Sequence, residues 1–143
     1  MILVENDIVL EWLDRGMIVD VCPGGIVFGN RHSEGGIRML QLVGKEIYIV
    51  GEMEGGEFLI NCLARENNLK RIEEIIKYKG NDEGLSPDNV AGIRHYVVPS
   101  GHFVYVGKYS GAIISRAGTQ RFLDELVEMN EATAGIFIPE GQK

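Results

Sequence analysis

The stretch Glu57-Phe-Leu-Ile-Asn-Cys-Leu-Ala-Arg-Glu-Asn-Asn-Leu-Lys-Arg-Ile-Glu-Glu-Ile-Ile76 carries the key to the fold. A short apolar strand, Glu57–Ile60, runs into Asn61, a side chain suited to cap a helix. The spacing then predicts a helix from about Leu63 to Tyr78. Leu69, Ile72, Ile75 and Ile76 form its apolar stripe, opposed by Lys70, Arg71, Glu73, Glu74 and Lys77. The pattern returns near the end of the chain. Ala112-Ile-Ile-Ser115 falls on Phe58-Leu-Ile-Asn61, Leu123 on Leu69, Leu126 on Ile72 and Met129 on Ile75. Leu69, Ile72, Ile76, Leu123, Leu126 and Val127 are therefore expected in the core.

Upstream of both helices the register also repeats. Gly36-Ile-Arg38 recurs as Gly92-Ile-Arg94, and Ile47-Tyr-Ile-Val-Gly51 as Phe103-Val-Tyr-Val-Gly107, at one spacing that a two-residue gap in the alignment separates from that of the strand and helix. Turn glycines, strand alternation, helix cap and helix stripe all register together. The expected fold class is α+β: a mostly antiparallel sheet built from two duplicated β-β-β-α units, plus an N-terminal helix and hairpin. The helix is expected over Asn6–Gly16. The hairpin joins Met17–Val21 to Ile26–Phe28 through Pro23-Gly24. Strands are expected at Ile37–Val43 and Glu46–Gly51. One domain over 1–143 divides into 1–35 (helix and hairpin), 36–79 (first unit), 80–91 (loop), 92–131 (second unit) and 132–143 (tail). Tyr96–Val98 and Val104–Val106 are apolar on both faces, which calls for cover on both.

The chain has 143 residues, 14 Lys+Arg against 21 Asp+Glu, and a net charge of -7. That balance argues against nonspecific binding of nucleic acid, which needs clustered cations. No apolar run approaches the ~18 residues of a membrane span. The opening residues lack a basic region and carry Glu5 and Asp7, which argues against a secretory signal and for a cytoplasmic or virion-associated protein. Cys22 and Cys62 read as small buried hydrophobes, with the spacing of neither a zinc site nor a redox motif.

The sequence has no phosphate loop, dinucleotide fingerprint, nucleophile elbow or HExxH helix. No cofactor and no metal is expected. Its most distinctive local stretch is Gly29-Asn-Arg-His-Ser-Glu-Gly-Gly-Ile37. As a catalytic site it would use His32 as general base, oriented by Glu34. As architecture it is a tight loop in which glycines permit unusual φ and the polar side chains satisfy backbone groups. The second reading is favoured, because no second polar cluster completes a mechanism. His102 aligns with Glu46, so the two units share no histidine.

That loop, followed by Glu52-Met-Glu-Gly-Gly-Glu-Phe-Leu-Ile-Asn61, resembles a motif pair near the C-termini of phage tail tape-measure and other virion proteins. There a Gly-x-x-His-x-x-Gly-Gly-Ile segment precedes an acidic Glu-x-Glu-Gly-Gly-Glu segment, an apolar pair, Asn and a helix. The match covers about Gly29 to Ile76. The second unit departs from it, with Lys108-Tyr-Ser-Gly111 in place of the acidic turn and no histidine loop before it. The resemblance implies a noncatalytic virion or phage-derived module. The expected function is thus a structural or protein-interaction module, with Asn30, Arg31, His32, Glu34, Glu54 and Glu57 as binding-loop candidates and another protein or a second copy as partner. The alternatives are a small hydrolase using His32 and Glu34, and an acidic inhibitor or nucleic-acid mimic.

Overall fold

The computed structural model describes residues 1–107 and 111–137. The N-terminal part contains β1 (Ile2–Val4), α1 (Asn6–Asp14), β2 (Ile18–Asp20) and β3 (Gly25–Phe28). A 3-10 turn at His32–Glu34 leads to β4 (Ile37–Val43), β5 (Glu46–Met53) and β6 (Glu57–Ile60), then α2 (Cys62–Asn67) and α3 (Leu69–Ile76). After a second 3-10 turn, Pro87–Val90, come β7 (His95–Val97), β8 (Phe103–Tyr105), β9 (Ala112–Ile114), α4 (Arg116–Arg121) and α5 (Leu123–Phe137). The α+β class holds. One sheet has the order β1-β5-β4-β8-β2 and the other β7-β3-β6-β9.

Strand alternation stacks these elements into four layers. Phe103 and Leu40 face α1, meeting Val9 and Trp12. Their neighbours Val104 and Met39 face the other way and pack on Val27 and Leu59 of the second sheet. From that sheet Ile26, Phe58, Ile60 and Ile114 point on into a third cluster, with Ile72, Ile75, Leu126 and Met129 of the helices. The order is α1, five-stranded sheet, four-stranded sheet, helices α2 to α5.

The two strand-to-helix junctions are capped alike. Asn61 Oδ1 accepts the Ala64 N–H at 2.8 Å, and Ser115 Oγ accepts the Gly118 N–H at 3.1 Å. Each cap starts a six-residue helix. Each helix then breaks, at Asn68 (φ -136, ψ 33) and Phe122 (φ -118, ψ 25). The single helix expected over 63–78 is therefore two, with Asn68 Nδ2 donating back to Ala64 O at 2.8 Å. β6 and β9 pair antiparallel with Leu59 opposite Ile113, so an approximate two-fold axis passes through that pair.

The upstream strands do not repeat. β4 and β5 pair with each other, whereas β7 lies in one sheet and β8 in the other. β8 enters between β4 and β2, parallel to both, because Phe103 and Val104 need cover on opposite faces. The N-terminal hairpin also gives way. β2 and β3 lie in different sheets, since every residue of β3 is buried and a hairpin at a sheet edge would leave one side bare. α5 extends through Phe137, so residues 132–137 of the expected tail are helix, and 138–143 lie outside the described residues. Residues 108–110 of the departing Lys108-Tyr-Ser-Gly111 segment lie outside them too.

Buried polar groups tie the two halves together. Asn61 is fully buried; its N–H donates to Asn130 Oδ1 at 3.0 Å and its Nδ2 to Pro23 O at 3.1 Å. Asn130 Nδ2 in turn donates to Leu59 O at 2.9 Å. The apolar stripe of α3 is narrower than expected. Ile72 and Ile75 are buried, while Leu69 is 52% and Ile76 45% exposed. Restarting the helix at Leu69 points the Ile72/Ile75 edge at the sheet. In urea denaturation, Leu126→Ala and Ile75→Ala should each lose about 2–5 kcal/mol, and Leu69→Ala less than about 1 kcal/mol.

Candidate functional site

The loop after β3 and the turn between β5 and β6 close on each other at the end of the sheet sandwich. Backbone contact comes first. The Gly55 N–H donates to Asn30 O at 3.0 Å and the Gly56 N–H to Val27 O at 2.8 Å. A Cβ on Gly55 would strike the Gly29 carbonyl, so this approach needs a residue without one. Gly36, at φ +66, likewise leaves the space that the Glu52 carboxylate fills. The segments Gly29–Ile37 and Glu52–Asn61 are thus the two sides of one junction.

Side chains then clasp it. His32 Nδ1 lies 2.5 Å from Glu52 Oε2, and Arg31 Nε donates to Glu54 Oε1 at 2.7 Å. Glu34 does not orient His32. Its Oε1 accepts the Arg31 N–H at 2.8 Å, capping the 3-10 turn. The partner of His32 is Glu52, which lies across the junction on β5. Asn30 Nδ2 donates to the Glu34 carbonyl and to Ser100 Oγ, both at 3.2 Å. Glu57 Oε1 accepts the Glu54 N–H at 2.6 Å, closing the β5–β6 turn. All six candidate residues from the sequence come together here, and the clasp adds Glu52 and Ser100.

Arg116, the first residue of α4, also reaches the junction. Its Nη1 donates to Gly55 O and its Nε to Asp82 Oδ2, the latter at 2.8 Å. One guanidinium therefore holds the motif turn, the connecting loop and α4. Nothing in the local sequence marks Arg116 or Asp82, which meet only through the tertiary fold. Beside them lies an open polar cleft of about 360 Å³, lined by Glu54, Glu57, Tyr78, Asp82, Ser115 and Arg116 among others.

The charges respond to this arrangement. The hydrogen bond with Glu52 raises the His32 pKa above its ordinary value, against a lowering by desolvation, and Glu54 and Glu57 add to the rise. The Arg31 hydrogen bond holds Glu54 below the usual carboxylate range. Burial pushes Glu57 up, partly offset by the Glu54 N–H. Among the described residues no group of three or more His, Cys, Asp and Glu is placed to hold a metal ion. No described helix is long and apolar enough to cross a membrane. Compared with protein-family models, curated proteins and solved structures, the chain matches none.

Two outcomes follow from this geometry. The folded His32 pKa exceeds its unfolded value, so the stabilisation from its pairing is complete below about pH 6.5 and is lost as pH rises through the folded value. The stability difference between the parent and His32→Gln, measured by urea denaturation across pH, should accordingly shrink toward alkaline pH. Arg116→Ala should cost about 1–3 kcal/mol, the scale of charged hydrogen bonds at a largely buried group. Arg116→Lys, which cannot fork to two acceptors in the same way, should recover little of it.

Proposed function

We propose that this chain is a noncatalytic structural or protein-interaction module, phage-derived and associated with a virion or tail, acting in the cytoplasm or on the particle. One observation carries the reading. The conspicuous polar residues of the motif are spent on one another: His32 on Glu52, Arg31 on Glu54, Glu34 on the Arg31 N–H and Glu57 on the Glu54 N–H. Such a constellation fixes a loop against a turn, and among the described residues no hydroxyl or thiol is hydrogen-bonded to the His32 ring. Of these pairings, His32 with Glu52 and Glu57 with the Glu54 N–H lie at positions that carry the likeness to tape-measure and other virion proteins, while Arg31 and Glu34 belong to this chain's own loop. Two of the acids on the helix face that suggests a nucleic-acid mimic are paired as well. Glu125 meets Arg71 at 2.5 Å and Glu131 meets Arg94 at 2.9 Å.

A broad hydrolase screen of the parent and of His32→Ala, run beside thermal melts, tests the reading. The expected result is no turnover above buffer in either protein, with a small drop in melting temperature for the variant, because His32 is half-exposed. A robust parent activity that vanishes in a normally folded His32→Ala protein would overturn it in favour of the hydrolase.

A further inference from the structure

The molecule carries its own template for a binding edge. The units β6-α2-α3 and β9-α4-α5 are related by the approximate two-fold axis through Leu59 and Ile113, which places Leu59 on Ile113 and Phe58 on Ala112. The outer edges of the two central strands nevertheless differ. β6 takes β3 antiparallel, with Gly25 opposite Leu59, Ile26 opposite Phe58 and Val27 opposite Glu57. β9 is the last strand of its sheet among the described residues.

Backbone direction shows what the open edge offers. Val27 O accepts from Gly56, whereas the Ile26 N–H turns the other way, to Arg94 O. Alternation then directs Gly25 and Val27 toward β6, and the peptide groups of Leu59 toward β3. The two-fold axis turns Leu59 into Ile113, so the N–H and C=O of Ile113 point out of the sheet. Burial agrees with a missing neighbour: Phe58 and Leu59 are buried, but Ala112 and Ile113 only half-buried.

We infer that the outer edge of β9 receives an extended apolar strand from another protein, antiparallel, in the place that β3 takes on β6. The chemistry of that strand can be read from β3. Ile26 points into the helix-side core and Val27 into the core between the sheets. At β9 the small Ala112 stands where β6 has Phe58, so the residue opposite it has room to be large. A small residue fits opposite Ile113 and a β-branched one opposite Gly111. This inference rests on the interaction-module reading and names where the partner is held.

The test titrates the intact ¹⁵N-labelled chain with acetyl-Gly-Gly-Ile-Val-Phe-Gly-Asn-amide, the sequence of residues 24–30, followed by NMR. The expected result is saturable shifts of the amides from Gly111 to Ser115, with exchange of the Ile113 N–H slowed about tenfold. A second probe, methylated on the valine nitrogen, lacks the donor aimed at β9 and should bind at least about tenfold more weakly. Unmoved amides in that segment overturn the inference, as does equal binding of the methylated probe. Failure here leaves the result of the hydrolase screen unchanged, and turnover at His32 would sink the module reading without changing these shifts.

Discussion

A strand that is apolar on both faces must be covered on both, and the layers of this molecule meet that requirement at β6. Phe58 and Ile60 point into the helix-side core while Leu59, between them, points at the five-stranded sheet. Neither sheet could be stable as a single layer, because each exposes a second apolar face that only another layer removes. The helices cover one side of the sandwich and α1 the other. Trp12 stacks on Phe103 at 4.0 Å, closing the outer face of β8.

The polar junction depends on those layers. β3 delivers the chain to Gly29, and β5 and β6 hold Glu52 and Glu57 in register, so the glycines bring two backbones into contact before any side chain acts. His32 and Arg31 are then within reach of carboxylates from another segment. These pairs are solvent-exposed, and exposed ion pairs contribute little energy one by one. Their effect is geometric, fixing how a loop leaves one sheet and enters the other.

Much of this was legible from local signals. Asn61 and Ser115 could be recognised as caps because the strand-to-helix switch is a change of period with a cap residue at the boundary. Strands β4, β5 and β6 were bounded by glycines and their own alternation. The grouping of Asn30, Arg31, His32 and Glu34 was also visible, since one loop holds them all. Partner choice was not visible. Whether β7 pairs with β8 or with β3 depends on which faces remain bare after the rest has folded, and no local pattern records that. Glu34 was the obvious carboxylate for His32 by proximity in sequence, yet the turn spends it on the Arg31 N–H. Arg116 lies far from the motif and carries no local mark of its role.

The central place of β8 bears on how the chain acquires its structure. β1, β4 and β5 can associate from nearby segments, but β2 has no partner in its sheet until Phe103–Tyr105 arrives between it and β4. Bringing residues near 104 beside residues near 19 closes a long loop before it is rewarded, which raises contact order and slows folding relative to helical chains of this length. During synthesis the five-stranded sheet must therefore wait for the last third of the chain. Until then Val104's future neighbours, Val19 and Met39, stand exposed to chaperones and to other nascent chains alike.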